Sequence, residues 1–471
     1  MAILSQNPAT FYLKLNTKSP KKSLPGTSSK IKNSISPKIS PFSSFLLSTR
    51  CYSALSQRPL RYAVLGAGYA GLSVVWHLLQ NSPKEARLFI DIYDEIGIGG
   101  GASGVSGGLL HPYSPKVKLL WKGEECWNES LNLLRVAEDA KVSKSLCVEE
   151  QDKGQSGRDF MVRRSGILRP ALSSKNMDIM IDNAEHCLHS CRIEAINKES
   201  AHKIVPDLFV PLDLAFHMPE ALTVNSKYYL EALYLACHNA AKDASDLSAA
   251  PKELHLHKKS IDCLSELAGE YDAVIICLGA RAAFLPELSG RIPLRTCRGV
   301  VVHLKVDDDA REVYPEDFPS VLGDAWLAIH GPRDLRVGAT WDWNSRNYSS
   351  KVSQEEASKA AEELLHEKAS TLHPAIKNDR TTIAGASGGL RAMPPLTPQG
   401  SLPLLGCVDE FVVGNQKSKK FWLLTGLGSR GLLYHGWVGK LTAQAVVSCD
   451  EDLIPPELIS WKSIVSHRDR Q

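Results

Sequence analysis

The chain has 471 residues, more than one simple core can fill, so two domains are the expectation. Hydrophobic residues make up 43% and charged residues 23%, an ordinary globular balance. No apolar run reaches the roughly 18 residues that a membrane span needs. The net charge of +3 comes from one end: residues 1–59 hold nine of the 55 basic residues, leaving 46 basic against 52 acidic, a net of −6, which argues against a nucleic-acid surface.

That opening segment, residues 1–59, contains thirteen serines and no Asp or Glu; the first acidic residue of the chain is Glu85. A Ser-rich, acid-poor, basic stretch without a helical stripe reads as an organelle transit peptide. Its excess of lysine over arginine favours a chloroplast, with a mitochondrion as the alternative. The eleven cysteines show no C-x-x-C spacing, which suits reduced thiols rather than a disulfide framework.

Folded structure is expected from residue 60. In "RYAVLGAGYAGLSVVWHLLQ" an apolar strand ends at Leu65, a glycine turn follows, and a helix runs from about Ala70 to Gln80. The turn residues Gly66, Ala67, Gly68, Tyr69, Ala70 and Gly71 spell G-x-G-x-x-G, whose glycines allow a tight turn, close approach of backbone to a pyrophosphate, and close helix–strand packing. The helix N-terminus offers free N–H groups to the phosphates. A second strand ends at Asp94 and Glu95, where a carboxylate can accept the ribose hydroxyls of an adenosine.

An ADP group alone leaves NAD and FAD open, and three later stretches decide between them. The loop "GIGGGASGVSGGLLHPY" (97–113), with Ala102 and Ser103, is a second glycine-rich segment that a flavin needs and a plain dehydrogenase does not. "EYDAVIICLGARAAFLP" (270–286) is a buried strand closed at Gly279. "FWLLTGLGSRGLLYHGWVGKLTAQAVV" (421–447) is a strand, a loop over Gly426, Gly428, Ser429, Arg430, Gly431 and Leu432, and a helix whose N-terminus would stabilise negative charge on a flavin. The expected cofactor is FAD. "HCLHSC" supplies His186, Cys187, His189 and Cys191 without a second half of a zinc site, so no metal is expected. "SQEEASKAAEELLHEKAS" (353–370) reads as a solvated helix.

Taken in order, "GAGYAG", "GASGVSGG", "YDAVIICLGA", "RVGATWDW", "GLRAMPPLTPQGSLPLLG" and "GLGSRG" resemble the D-amino-acid oxidase/glycine oxidase/sarcosine oxidase family of FAD-dependent enzymes over about residues 60–448. The resemblance implies an α/β fold: a discontinuous Rossmann-like FAD domain (about 60–115, 222–285 and 405–448) and a mainly antiparallel α+β substrate domain (about 116–221 and 286–404). Residues 449–471 are expected to be a peripheral tail. The implied reaction is oxidation of the C–N bond of an amino acid or N-substituted glycine by hydride transfer to flavin, with D-amino acids as the leading class. The implied partner is thus a small amine bearing a carboxylate.

By the same resemblance Arg391 grips the substrate carboxylate through a guanidinium fork. His111 and Tyr113 are expected near the flavin, and Trp341 and Trp343 lie on a strand that borders it. Two positions depart from the family: Gln399 replaces the usual Asp, and Arg430 stands where many members have His. The "SRG" form resembles the oxidase half of bacterial enzymes that mature wobble uridines in tRNA, so a carboxymethylaminomethyl uridine is an alternative substrate. A non-catalytic flavoprotein is a further alternative.

Overall fold

The computed structural model describes residues 58–147, 160–247, 250–267, 269–307, 314–377, 381–414 and 419–463. The segment 1–59, read as a transit peptide, lies outside them apart from Arg58 and Pro59.

The chain begins with β1 (Leu60–Leu65), α1 (Tyr69–Asn81) and β2 (Leu88–Tyr93). It crosses α2 (Gly123–Cys147) into β3 (Ile167–Pro170), β4 (Glu194–Ile196) and β5 (Ala215–Met218), then returns through α3 (Ser226–Leu247) to β6 (Lys252–His257) and β7 (Ala273–Ile276). A second excursion holds β8 (Arg295–Val306), β9 (Ser320–Leu322), β10 (Trp326–Ile329), β11 (Asp334–Gly338) and β12 (Thr381–Met393). The chain comes back with β13 (Leu404–Cys407), β14 (Phe421–Thr425) and α4 (Gly431–Ser448).

Two sheets result. The first has the order β13-β14-β7-β1-β2-β6 and is parallel except for the β13–β14 pair. Its central strands are apolar throughout because both faces are covered, the pattern that parallel sheets impose. Along β1, Tyr62 and Val64 join the core beneath α1, α2, α3 and α4, while Ala63 and Leu65 join the core on the opposite face. This is the two-residue alternation of a strand, with each face buried in turn. The fold is thus a Rossmann-like architecture drawn from three separated stretches.

The second sheet has the order β12-β8-β11-β10-β9-β3-β5-β4 and is antiparallel apart from the β9–β3 pair. Its axis is the long β8–β12 pair, in which Cys297 faces Arg391 and Gly299 faces Gly389. One sheet face is closed by residues 354–372. Ser353 caps the helix Gln354–Ala361 by accepting from the Glu356 N–H, and Ala360, Leu364 and Leu365 enter the core with Val300, Val302 and Leu335. The segment expected to be a solvated helix therefore has one face committed to the sheet. The other face of the sheet is turned to the cavity described below.

The described part of the final segment also departs from expectation. Leu458 and Trp461 are buried, and Trp461 Nε1 donates to the Leu405 carbonyl on β13 at 3.0 Å. Up to residue 463 the chain is part of the core rather than a peripheral tail. Among the described residues no helix is long and apolar enough to cross a membrane.

Candidate active site

At the C-terminal ends of β1, β2, β7 and β14 lies a cavity of about 440 Å³, roofed by the open face of the second sheet. Open parallel sheets bind ligands at that edge, because helix N-termini and turn amides converge there. Two helix N-termini face this cavity. Neither α1 nor α4 has a side-chain cap or an acidic residue in its first turn, so both leave N–H donors for an anion.

The turn between β1 and α1 is set by steric limits. Gly66 has φ +107°, and a Cβ there would lie 2.5 Å from the Cys277 carbonyl oxygen. A Cβ on Gly71 would lie 1.8 Å from the Gly66 oxygen, so only glycine lets α1 approach β1 this closely. Asp94 holds the turn: Oδ2 accepts from Ala67 N–H at 2.9 Å, and Oδ1 accepts from Ile96 and Gly97 N–H at 3.0 and 2.8 Å. A carboxylate has about four acceptor positions, so three are spent on backbone before any ligand arrives. Glu95 pairs with Arg281 at 2.7 Å. Ser103 Oγ accepts from Tyr69 N–H at 3.2 Å, and the Tyr69 hydroxyl bonds Ser106 Oγ at 2.9 Å. Burial pushes the Tyr69 hydroxyl up to about 12, so it stays neutral.

The opposite end of the cavity is cationic. Arg430 Nη1 lies 3.3 Å from His111 Nε2, and Tyr113 N–H lies 3.3 Å from His111 Nδ1. A neutral imidazole accepts at one nitrogen, so only one of these contacts is a hydrogen bond at a time. Burial, and then Arg430 and Arg169, hold His111 well below its ordinary pKa, so the ring is neutral. Burial also brings Arg169 down to about 10, with Arg430 adding repulsion. No carboxylate among the described residues comes within 4.0 Å of Arg169, Arg391 or Arg430. The α4 end that presents Arg430 is held from behind. Ser130 Oγ donates to the Leu433 carbonyl at 2.9 Å, His435 Nδ1 donates to the Leu432 carbonyl at 2.8 Å, and the Tyr229 hydroxyl donates to His435 Nε2 at 2.7 Å.

Arg391 reaches the cavity from β12. Its guanidinium lies over Gly299, where a Cβ would meet Nη2 at 2.5 Å. Nη2 donates to the Thr340 carbonyl, and Cζ sits 3.9 Å from the centre of the Trp341 ring. Nε is buried without a partner. The group is held in orientation with donors unspent.

The sequence matches a family model described as FAD dependent oxidoreductase (DAO) over residues 61–445. The chain belongs to that family. Solved structures with the same fold include iminodiacetate oxidase from Chelativorans sp. BNC1, with 19% identity, a TM-score of 0.60, and 84% of this chain and 98% of that one covered. Glycine oxidase from Geobacillus kaustophilus gives 18%, 0.60, 83% and 96% in the same terms. L-proline dehydrogenase from P. horikoshii gives 15%, 0.59, 86% and 98%. A comparison with curated proteins finds no match.

As a member of the DAO family the protein is an FAD-dependent oxidoreductase, and the cavity fits the cofactor. The glycine cradle at Gly66–Gly71, the free amides of α1 and Ser103 suit a pyrophosphate. The uncapped α4 end with Arg430 suits the electron-rich edge of a flavin. Among the residues marked in the sequence, Gly66, Gly68, Tyr69, Ala70, Asp94, Glu95, Ala102, Ser103, Gly279, Gly426, Gly428, Ser429, Arg430, Gly431, Leu432, His111 and Arg391 line the cavity. Ala67 and Gly71 stand behind that lining, the first bonded to Asp94 and the second packing helix on strand.

Tyr113 does not reach the cavity. Its hydroxyl donates to the Cys191 carbonyl and accepts from Leu188 N–H at 2.9 Å, which ties down the "HCLHSC" loop. Burial makes the phenol a structural anchor instead of a pocket group. Within "HCLHSC", Cys191 is buried and His186 bonds the Asp182 carbonyl. Arg169 and Gly299 are cavity residues that the sequence did not mark. Neither sits in a motif, and only the strand order of the second sheet brings them beside Arg391 and Arg430.

Proposed function

We propose that this enzyme oxidises the C–N bond of a small amine that carries a carboxylate, an amino acid or N-substituted glycine. The observation that carries this reading is Arg391: a guanidinium oriented by Thr340 and Trp341, open to the cavity, with no carboxylate partner among the described residues. A bidentate Arg–carboxylate pair fixes both position and orientation, so it sets which C–H bond faces the rest of the site. Arg169 and Arg430 add positive charge that favours an anionic substrate and disfavours an ammonium near them. Bound FAD supplies the two-electron acceptor, so that the substrate loses one C–H and one N–H hydrogen and becomes an imine, which water hydrolyses to a carbonyl compound and ammonia, or an amine where the nitrogen is substituted. The neutral His111 ring borders the same space and is placed to orient the substrate instead of pairing with its charge.

The test is anaerobic bleaching of the flavin absorbance by D-amino acids, glycine and sarcosine, against the same amines without a carboxylate. Bleaching confined to carboxylate-bearing amines supports the proposal. Equal bleaching by both sets refutes it.

A further inference from the structure

Two arginines and two tryptophans form a ladder that starts at the cavity wall, where Arg391 and Trp341 line it, and continues outward to Trp343 and Arg295. The Arg298–Asp342 bridge sets the register of the 341–343 segment against β8, so Trp341 and Trp343 point to the same sheet face as Arg295 and Arg391. Arg391 Cζ lies 3.9 Å from the Trp341 ring centre, and Arg295 Cζ lies 4.4 Å from that of Trp343. The two indoles are stacked at 6.0 Å with 25° between planes. They remain 48% and 42% exposed, and Trp341 lines the cavity together with the exposed ring of Tyr348.

Leaving two indoles in water forgoes burial worth about 25 cal/mol per Å² of apolar surface. A clustered exposed apolar surface of this kind marks a place where something binds. Tryptophan flanked by arginine suits a planar ring: the indole faces stack on it, and the guanidinium planes extend the stack. Arg391 touches both this ladder and the cavity, so one molecule can reach both. Its carboxylate would meet the guanidinium edge while its ring meets the indoles.

We infer that Trp341 and Trp343 form a stacking seat for a planar ring on the substrate, so that the preferred substrate is a carboxylate-bearing amine carrying an aromatic or heteroaromatic ring. This deepens the proposed function and rests on Arg391 holding the carboxylate. Two kinds of ring fit the seat, an arene and a pyrimidine base, and they are separated by the probes below.

The test uses the FAD-loaded full chain and matched pairs: D-phenylalanine against D-alanine, and N-benzylglycine and carboxymethylaminomethyluridine against sarcosine. The expected kcat/KM ratio favours the ring-bearing member by about tenfold or more, the scale of a stacked base. In Trp343→Ala, and in Trp343→Leu if the smaller residue disturbs folding, that ratio falls towards one. Whichever of N-benzylglycine and the uridine is preferred identifies the ring. A binding measurement independent of turnover accompanies this: quenching of tryptophan fluorescence by phenylacetate against acetate, with the phenylacetate advantage lost in the same variants. Equal kcat/KM within each pair, in a protein that turns over both members, overturns the seat and leaves the proposed oxidation standing. If no carboxylate amine is oxidised, the proposed oxidation fails. The seat is then decided by phenylacetate binding, which overturns it when no stronger than that of acetate.

Discussion

The two ends of the cavity are built by different means. The nucleotide end is made of main chain: a glycine turn, the uncapped end of α1, and Asp94 tying three amides together. The far end is made of side chains from distant parts of the chain: Arg169 from β3, Trp341 from the segment after β11, Arg391 from β12 and Arg430 from the start of α4, beside the neutral His111. A backbone cradle tolerates few substitutions because any added atom collides with main chain. A side-chain cluster tolerates replacement structurally and changes what it recognises. One end should therefore fail by losing the cofactor, the other by losing the substrate.

The largest effect is expected from Gly71→Val. Its Cβ would fall 1.8 Å from the Gly66 oxygen, forcing α1 away from β1. Overpacking of this kind costs about 1–3 kcal/mol, and here it also displaces the amides that face the pyrophosphate. The purified protein should be colourless with a lowered Tm; a yellow protein with full flavin content would break the contrast between the two ends.

Arg391→Ala comes next. Removing one member of a desolvated charge pair costs about 2–5 kcal/mol, so kcat/KM for carboxylate substrates should fall by roughly 30- to 1,000-fold or more while flavin content stays at one per chain. Steady-state kinetics beside an absorbance ratio separates the two quantities. Loss of flavin in this variant would mean that Arg391, like Arg430, holds the cofactor.

Acid should destabilise both ends. Burial takes His435, behind the α4 end, down to about 4, and His330, beneath the second sheet, down to about 3, from an ordinary 6.5. The unfolded chain then binds protons that the folded one does not. Stability is therefore complete above about pH 6.5 and is lost as pH falls towards 4, at about 1.4 kcal/mol per pH unit for each histidine. Thermal melts across that window should show the slope, and His435→Gln should remove one histidine's share. A flat profile in the parent protein would contradict the burial of these rings.

The smallest effect is expected at Glu95→Gln. Its partner Arg281 forms a half-exposed pair at the cavity edge, and such pairs contribute about 0–1 kcal/mol. Flavin retention should be nearly unchanged. A strong loss of flavin would place Glu95 among the groups that hold the cofactor.

Much of the nucleotide end was legible because its causes are local. A glycine spacing, an apolar strand and a helix start within thirty-odd residues dictate where a phosphate can sit, and Gly66 and Gly71 make the tight turn and close helix–strand contact those rules describe, whereas Asp94 spends three acceptor positions on backbone N–H groups. Tyr113 was misplaced because its distance from His111 in sequence is two residues, whereas its side-chain direction is set by the loop at Cys191. The helix after Ser353 reads as solvated in sequence because its composition is charged; only the sheet behind it shows that Ala360 and Leu364 face inward.

By itself, then, the sequence pointed to the dinucleotide cradle, to the order of its three contributing stretches and to Arg391 as a cavity residue, since each rests on short-range geometry or on a recognisable run of residues. Tertiary structure alone decided that Arg169 joins Arg430, that Gly299 leaves room for the Arg391 guanidinium, and that Trp341 and Trp343 stand open between two arginines. Those relations depend on strand register across chain separations of tens to hundreds of residues, and no periodicity within a segment encodes them.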